Sequence, residues 1–130
     1  MTMIETEETN RFTFEAFASH PFYTEINRSL VRQALASLAS RPANATLTIV
    51  DMACGTGAVT RLIAQEMQRQ HRSVRIIGVD PSAEALRRAQ KGMEQIGAKA
   101  EFMQGEANDL PRIVQNADAA FFCNAIHLLP

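Results

Sequence analysis

The chain is poor in cysteine, has no tryptophan and contains no long apolar run. Its two cysteines, one in a glycine-containing loop and one in a predicted strand, fit a reducing compartment better than a disulfide scaffold. No segment approaches the roughly 20 consecutive apolar residues that a membrane helix needs. The first ten residues are acidic and lack the basic-then-apolar layout of a secretion signal. We therefore expect a cytoplasmic protein without membrane contact.

Strong charge of either sign is also missing. The formal net charge is -1, which gives no electrostatic reason to expect a nucleic acid or an anionic membrane as partner. No two histidines and no cysteine pair stand at the spacing of metal ligands, so we expect no metal site. Apolar residues make up 46% of the 130 residues, which is enough to build the core of one domain.

What the sequence does contain is an alternation of apolar strands and amphipathic helices. Alternation of this kind predicts an α/β fold with a parallel sheet and right-handed crossovers. An aromatic-rich segment and a helix over 24–39 precede the alternation. The predicted strands cover 46–52, 74–79, 99–103 and 117–124, and the predicted helices cover 57–70, 82–96 and a short turn over 111–115.

The first strand ends in Asp51 and leads into a loop of small residues that contains Gly55 and Gly57. Glycine lets a ligand touch bare backbone, because it has no Cβ. The helix that follows offers free N–H groups and the positive end of its dipole. A cofactor with a polar tail fits such a loop.

The second strand also ends in a carboxylate, Asp80, which stands 23 positions after Gly57. That distance is close to the spacing at which an acidic residue reaches a ribose hydroxyl in dinucleotide-binding folds. Pro81 suits the first turn of the next helix. An alternative role for Asp80 is to cap that helix, and both roles can coexist.

Four sequence elements between residues 46 and 127 resemble class I S-adenosylmethionine-dependent methyltransferases. The first is the acidic residue and glycine loop over 51–57, and the second is Asp80. The third is Gly105-Glu106-Ala107, and the fourth is the end of strand four around Asn124. The resemblance implies a three-layer Rossmann-like sandwich with strand order 3-2-1-4 and S-adenosyl-L-methionine as the cofactor.

The resemblance also implies roles for single residues. Asp51 would meet the amino group of the cofactor, Asp80 its ribose hydroxyls, and Glu106 its adenine amino group. His127 is the candidate catalytic base, although a structural role is at least as well supported by its apolar neighbours. The implied cofactor-binding set is Asp51, Ala53, Cys54, Gly55, Thr56, Gly57, Asp80, Pro81, Ser82, Gly105, Glu106, Ala107, Asn124, Ala125 and Tyr23.

The chain departs from the family pattern in three ways. Ala53 replaces the first glycine, Glu106 replaces an aspartate, and only four of the usual seven strands are present. We therefore expect a helical lead or lid over 1–45 and an incomplete, truncated cofactor-binding domain over 46–130. We also expect a homodimer that covers the edge of strand four, because apolar edges are avoided, and weak or absent methyl transfer by these residues alone.

Two other functions remain open at this point beside a methyltransferase that acts on a small-molecule acceptor. One is a cofactor-binding module without catalysis. The other is an NAD-dependent oxidoreductase, which would want a third glycine where Thr60 stands. The Asp51 carboxylate would also repel a pyrophosphate in that case.

Overall fold

The computed structural model of the chain describes residues 21–113 and 115–122, without the side chains of Phe22 and Tyr23. Helices and strands alternate over this range as the sequence predicts. The elements in chain order are α1 (Pro21–Ala36), β1 (Leu47–Met52), α2 (Ala58–Arg69), β2 (Val74–Asp80), α3 (Ala83–Gln95), β3 (Glu101–Gln104), a 3-10 turn (Ala107–Asp109) that runs into α4 (Leu110–Ile113), and β4 (Ala119–Phe121).

The four described strands form one parallel sheet in the order β3-β2-β1-β4. The predicted strand order is therefore confirmed. The chain moves from β1 to β2 and β3 in one direction and then returns to place β4 on the other side of β1. Such a reversal opens a crevice at the carboxyl ends of the central strands, which is where open α/β sheets bind ligands.

Helices cover both faces of the sheet, which gives the predicted three layers. Alternate residues along β1 point to opposite faces and enter different cores. The larger core lies under α1, α2 and α3, and the smaller one lies under α4 and the segment before β4. The larger core is built around Val31, Leu35, Ile49, Val59, Ile63, Met67, Ile76 and Met93, and the smaller around Val50, Met52, Ile77 and Val79.

Helix α1 begins earlier than the apolar pattern predicts. Pro21 is its first residue, a position where the missing N–H of proline costs no helical hydrogen bond. Val31 and Leu35 are buried in the larger core, whereas Leu30 is 47% exposed. The helix therefore shares its core with the sheet. The division into a lead over 1–45 and a cofactor domain over 46–130 stays a prediction.

Strand β4 is shorter in the described residues than the predicted 117–124, whose last two positions lie outside them. Asp118 fixes the start of the strand: its N–H donates to the Thr48 carbonyl oxygen at 2.7 Å, and its Oδ2 accepts from the Thr48 N–H at 2.8 Å. The homodimer expected at this edge stays a prediction. Within the described ranges, no helix is long and apolar enough to cross a membrane.

Candidate functional site

The carboxyl ends of β1 and β2 bring Asp51 and Asp80 to the same edge of the sheet. Asp51 lies opposite Gly78 in the parallel register, so Asp80 is two residues further along the neighbouring strand. The loop between β1 and α2 lies against that edge, since the Cys54 N–H donates to the Val79 carbonyl oxygen at 2.9 Å. The first two predicted sequence elements therefore meet in space.

The glycine loop depends on left-handed backbone conformations. Gly57 has φ +89° as the N-cap of α2, and Gly55 has φ +55°. A Cβ at Gly57 would lie 3.0 Å from the Cβ of Ala89, so the start of α2 approaches α3 too closely for a side chain. Ala53 also has positive φ, +53°. Ala53, which stands where the family has glycine, therefore costs conformational free energy, because a residue with a Cβ is unfavourable in the left-handed region.

Asp80 connects the loop to the start of α3. Its Oδ2 accepts from the Gly55 N–H and its Oδ1 from the Ser82 N–H, each at 2.9 Å. The helix cap is Ser82, whose Oγ accepts from the Ala85 N–H at 3.1 Å, so the capping role considered for Asp80 belongs to Ser82. Asp80 is partly exposed. Each of its oxygens keeps a further lone pair for a donor, such as a ligand hydroxyl.

Asp51 is fully buried and only half satisfied. Its Oδ2 accepts from the Thr60 hydroxyl at 2.7 Å, while its Oδ1 is buried and has no hydrogen-bond partner among the described residues. Desolvation by burial raises the pKa of Asp51 from 3.8 to about 7, although the Thr60 hydrogen bond opposes the rise. A buried acceptor without a donor is costly, so this oxygen favours a ligand that brings one.

Arg61 supports the loop from α2, and Cys54 anchors it from within. The Arg61 guanidinium donates from Nη1 to the Thr56 carbonyl oxygen at 3.1 Å and packs against Gly92 of α3. Its partial burial lowers its pKa. Cys54 is buried beside Gly78, and burial raises the pKa of its thiol. The described geometry gives Cys54 a packing position, and its expected contact with the cofactor stays a prediction.

The third predicted element continues the same edge after β3. The Gly105 N–H donates to the Asp80 carbonyl oxygen at 3.2 Å, which holds this segment beside β2. The Glu106 N–H donates to Asp109 Oδ2 at 2.9 Å, and the side chain of Glu106 is exposed together with Ala107. Both residues are therefore open to a ligand lying across the strand ends.

Several predicted site residues lie outside what the structure describes, namely Asn124, Ala125, His127 and the side chain of Tyr23. Pro81 is exposed next to Asp80. Sequence reasoning missed Thr60, Arg61 and Asp109, which support the site residues from neighbouring elements. The described residues contain no group of three or more side chains that could hold a metal ion.

The arrangement joins a buried, half-satisfied carboxylate, a partly exposed carboxylate and bare loop backbone along one sheet edge. A molecule with an amino group at one end and hydroxyls further along could satisfy all three. The fold is Rossmann-like, and the site lies at the reversal point of its parallel sheet, where open α/β folds bind their ligands.

Comparison with known families assigns the domain to a class. Residues 49–130 match the model of the family described as a methyltransferase domain. The match covers more than half of the chain, and the chain therefore belongs to this family. The resemblance seen in the sequence is confirmed.

A curated relative is trans-aconitate 2-methyltransferase from Azoarcus sp. (strain BH72). It is 33% identical over 84 residues, which make up 65% of this chain and 30% of the relative. The chain thus spans about a third of the length of that enzyme.

Solved structures agree on the fold. The CurJ carbon methyltransferase superposes on 72% of this chain and 24% of its own, with a TM-score of 0.58 and 14% identity. The plantazolicin methyltransferase BpumL, solved in complex with SAH, superposes on 79% of this chain and 37% of its own, with a TM-score of 0.52 and 17% identity. At these identities the likeness shows the fold alone.

Proposed function

We propose that this chain holds S-adenosyl-L-methionine at the carboxyl edge of its sheet and that the protein transfers the methyl group to a small-molecule acceptor. Membership of the methyltransferase-domain family supports the activity. The observation that carries the proposal is a pair of carboxylates. Asp51 has a buried oxygen without a hydrogen-bond partner among the described residues, and Asp80 has spare acceptor capacity.

The two carboxylates bind different ends of the cofactor in this proposal. Asp51 accepts from the ammonium group of the methionine part, directly or through water, and so satisfies its Oδ1. Asp80 accepts from the ribose hydroxyls, while its existing bonds keep Gly55 and Ser82 in place. Glu106 and Ala107 are proposed to meet the adenine, and the glycine loop to lie against the methionine part.

The chain needs to contribute positioning more than covalent chemistry. When bound, the cofactor supplies a methyl group on a positively charged sulfur that departs as a neutral thioether. The residues described here bind and orient: Asp51, Asp80 and the loop fix three parts of one ligand. Correct alignment of two reactants can supply about 7–11 kcal/mol of the barrier.

We propose a small acid as the acceptor class to assay first. Support comes from the curated relative, which is named for trans-aconitate. We also propose that the lead over 1–45, with Tyr23, forms a lid over the cofactor, and that the protein functions in the cytoplasm. A nucleic-acid acceptor is not favoured by the net charge of -1.

The first test is calorimetric binding of S-adenosylhomocysteine and of NAD to the full chain. We expect S-adenosylhomocysteine to bind and NAD not to bind. Asp80→Asn is expected to weaken binding about 10- to 100-fold, because hydrogen bonds to a charged acceptor are lost. Glu101→Gln is the matched control, since Glu101 is an exposed carboxylate that pairs with Arg75. Binding of NAD instead would contradict the proposal.

The second test is methyl transfer by the full protein that carries this chain. Radiolabelled S-adenosyl-L-methionine and a panel of small carboxylic acids would be incubated with it, and labelled product measured. Transfer to an acid supports the enzyme. Tight S-adenosylhomocysteine binding without transfer to any acceptor would favour the alternative of a cofactor-binding module without catalysis.

A further inference from the structure

Thr60 is the one described side chain that donates a hydrogen bond to Asp51. It lies in the first turn of α2, and both residues have an exposed fraction of 0%. The Thr60 hydroxyl to Asp51 Oδ2 distance is 2.7 Å, which is short enough for a strong hydrogen bond to a charged acceptor. An ionised carboxylate can only accept, so the hydroxyl hydrogen is directed at Asp51.

Among the described residues, no cationic side chain lies close enough to Asp51 to compensate its negative charge. Desolvation is the largest cause of its raised pKa, and the nearby Asp80 raises it further. The Cys54 thiol is the other titratable group that interacts with Asp51. On α2 itself, the Arg61 guanidinium donates to the Thr56 carbonyl oxygen instead. Among the described residues, the Thr60 hydrogen bond is therefore the interaction that opposes the desolvation of the Asp51 carboxylate.

We propose that Thr60 is a positioning residue for the cofactor: it fixes the Asp51 carboxylate and favours the ionised form that accepts from an ammonium group. The inference rests on the proposed function of the site. With one oxygen held by Thr60, the other is left to accept from an incoming ammonium group. Thr60 acts through Asp51 and need not touch the cofactor.

The proton balance follows from the two states of the carboxyl. Below neutral pH the ligand-free site carries Asp51 as a neutral acid, and the ligand arrives as an ammonium cation. Binding forms a carboxylate–ammonium pair, and the carboxyl proton leaves to solvent. Affinity should therefore fall about tenfold for each pH unit below about 7, and level off above it.

The test compares Thr60→Val with Thr60→Ser in the full chain, using two probes. S-adenosylhomocysteine carries the ammonium group, whereas 5′-methylthioadenosine shares the nucleoside but lacks the amino-acid part. Calorimetric affinities would be measured from about pH 6 to about pH 8.5, in buffers of different ionisation enthalpy that reveal proton release.

Thr60→Val is expected to weaken S-adenosylhomocysteine about 10- to 100-fold near pH 7 and to move the break in its pH profile upward. Thr60→Ser, which keeps the hydroxyl, should restore most of the affinity and the original break. The affinity for 5′-methylthioadenosine should change less than about twofold in both variants, which also shows that they fold.

Three outcomes would overturn the inference. The first is that Thr60→Val has the same S-adenosylhomocysteine affinity and pH profile as the unmodified chain. The second is that the affinity of the unmodified chain does not depend on pH. The third is that Thr60→Val loses affinity for both probes equally. Each leaves the proposed function standing, because the unmodified chain still binds. If the unmodified chain binds neither probe, the proposed function fails as well.

Discussion

The buried carboxyl of Asp51 predicts that replacing it with an amide stabilises the folded chain at high pH. Burial raises the pKa of Asp51 from 3.8 to about 7, so between these values the folded state holds a proton that the unfolded state has lost. The contribution of the neutral Asp51 carboxyl to the free energy of unfolding is therefore fully present below pH 3.8 and is lost as pH rises through about 7. Asp51→Asn removes this ionisation and the pH dependence with it.

The magnitude follows from the size of the shift. A rise from 3.8 to about 7 is about 3 pH units, and each unit corresponds to 1.36 kcal/mol, which gives about 4 kcal/mol. At low pH the neutral acid and the amide are alike in charge. The free energy of unfolding of Asp51→Asn relative to the unmodified chain should therefore grow by about 4 kcal/mol between about pH 4 and about pH 8.

The assay is urea unfolding at both pH values, followed by circular dichroism because the chain has no tryptophan. Glu101→Gln serves as the control, because it removes only an exposed ion pair with Arg75 and should change the free energy of unfolding by less than about 1 kcal/mol at either pH. The same Asp51→Asn variant should bind S-adenosylhomocysteine more weakly, so stability and function change in opposite directions. A stability difference for Asp51→Asn that does not vary with pH would show that the Asp51 pKa is not raised by burial.

Three other predictions concern the glycine loop, Asp80 and a buried carboxylate of α2. In urea titrations, Gly57→Ala should lower the free energy of unfolding by about 2–3 kcal/mol and Gly55→Ala by about 1 kcal/mol. Both variants strain a left-handed backbone, but only a Cβ at Gly57 would also clash with Ala89. Equal losses for the two variants would contradict this prediction. Asp80→Asn should weaken 5′-methylthioadenosine as strongly as S-adenosylhomocysteine in calorimetry, since Asp80 is assigned to the ribose; loss of only one would contradict it. Glu66 is a buried carboxylate of α2 that accepts hydrogen bonds from Arg69, and these bonds lower the pKa of Glu66 to about 2. Glu66→Gln should therefore lower the free energy of unfolding by about 1–2 kcal/mol at neutral pH. The deficit is present above pH 4.5 and disappears as pH falls through about 2. A deficit that persists at pH 2 would contradict that assignment.

The sequence predicts the parts of the site that lie at strand ends. Asp51 and Asp80 each close an apolar run, and parallel strands bring such ends to one edge. The left-handed loop was predictable from Gly55 and Gly57, and so was the left-handed Gly97 after α3, with φ +66°. These features depend on local pattern and on backbone conformation, which a short segment of sequence fixes.

The supporting residues could not be predicted in the same way. Thr60 contacts Asp51 only because α2 packs back across the sheet, and nothing in the spacing of the two residues specifies that contact. Arg61 is a charged residue that a pattern would place in solvent, yet its guanidinium lies against Gly92. Asp109 depends on how the turn after β3 folds. Tertiary packing decided the first two contacts, whereas the Asp109 contact is local to its turn.

The most direct test of the account is a crystal structure of the chain with S-adenosylhomocysteine. The ligand is expected across the carboxyl ends of β1 and β2, with its ammonium nitrogen within hydrogen-bond reach of Asp51 Oδ1, directly or through one water, and its ribose hydroxyls on Asp80. A ligand that lies elsewhere on the chain, or that leaves both carboxylates without contact, would contradict it.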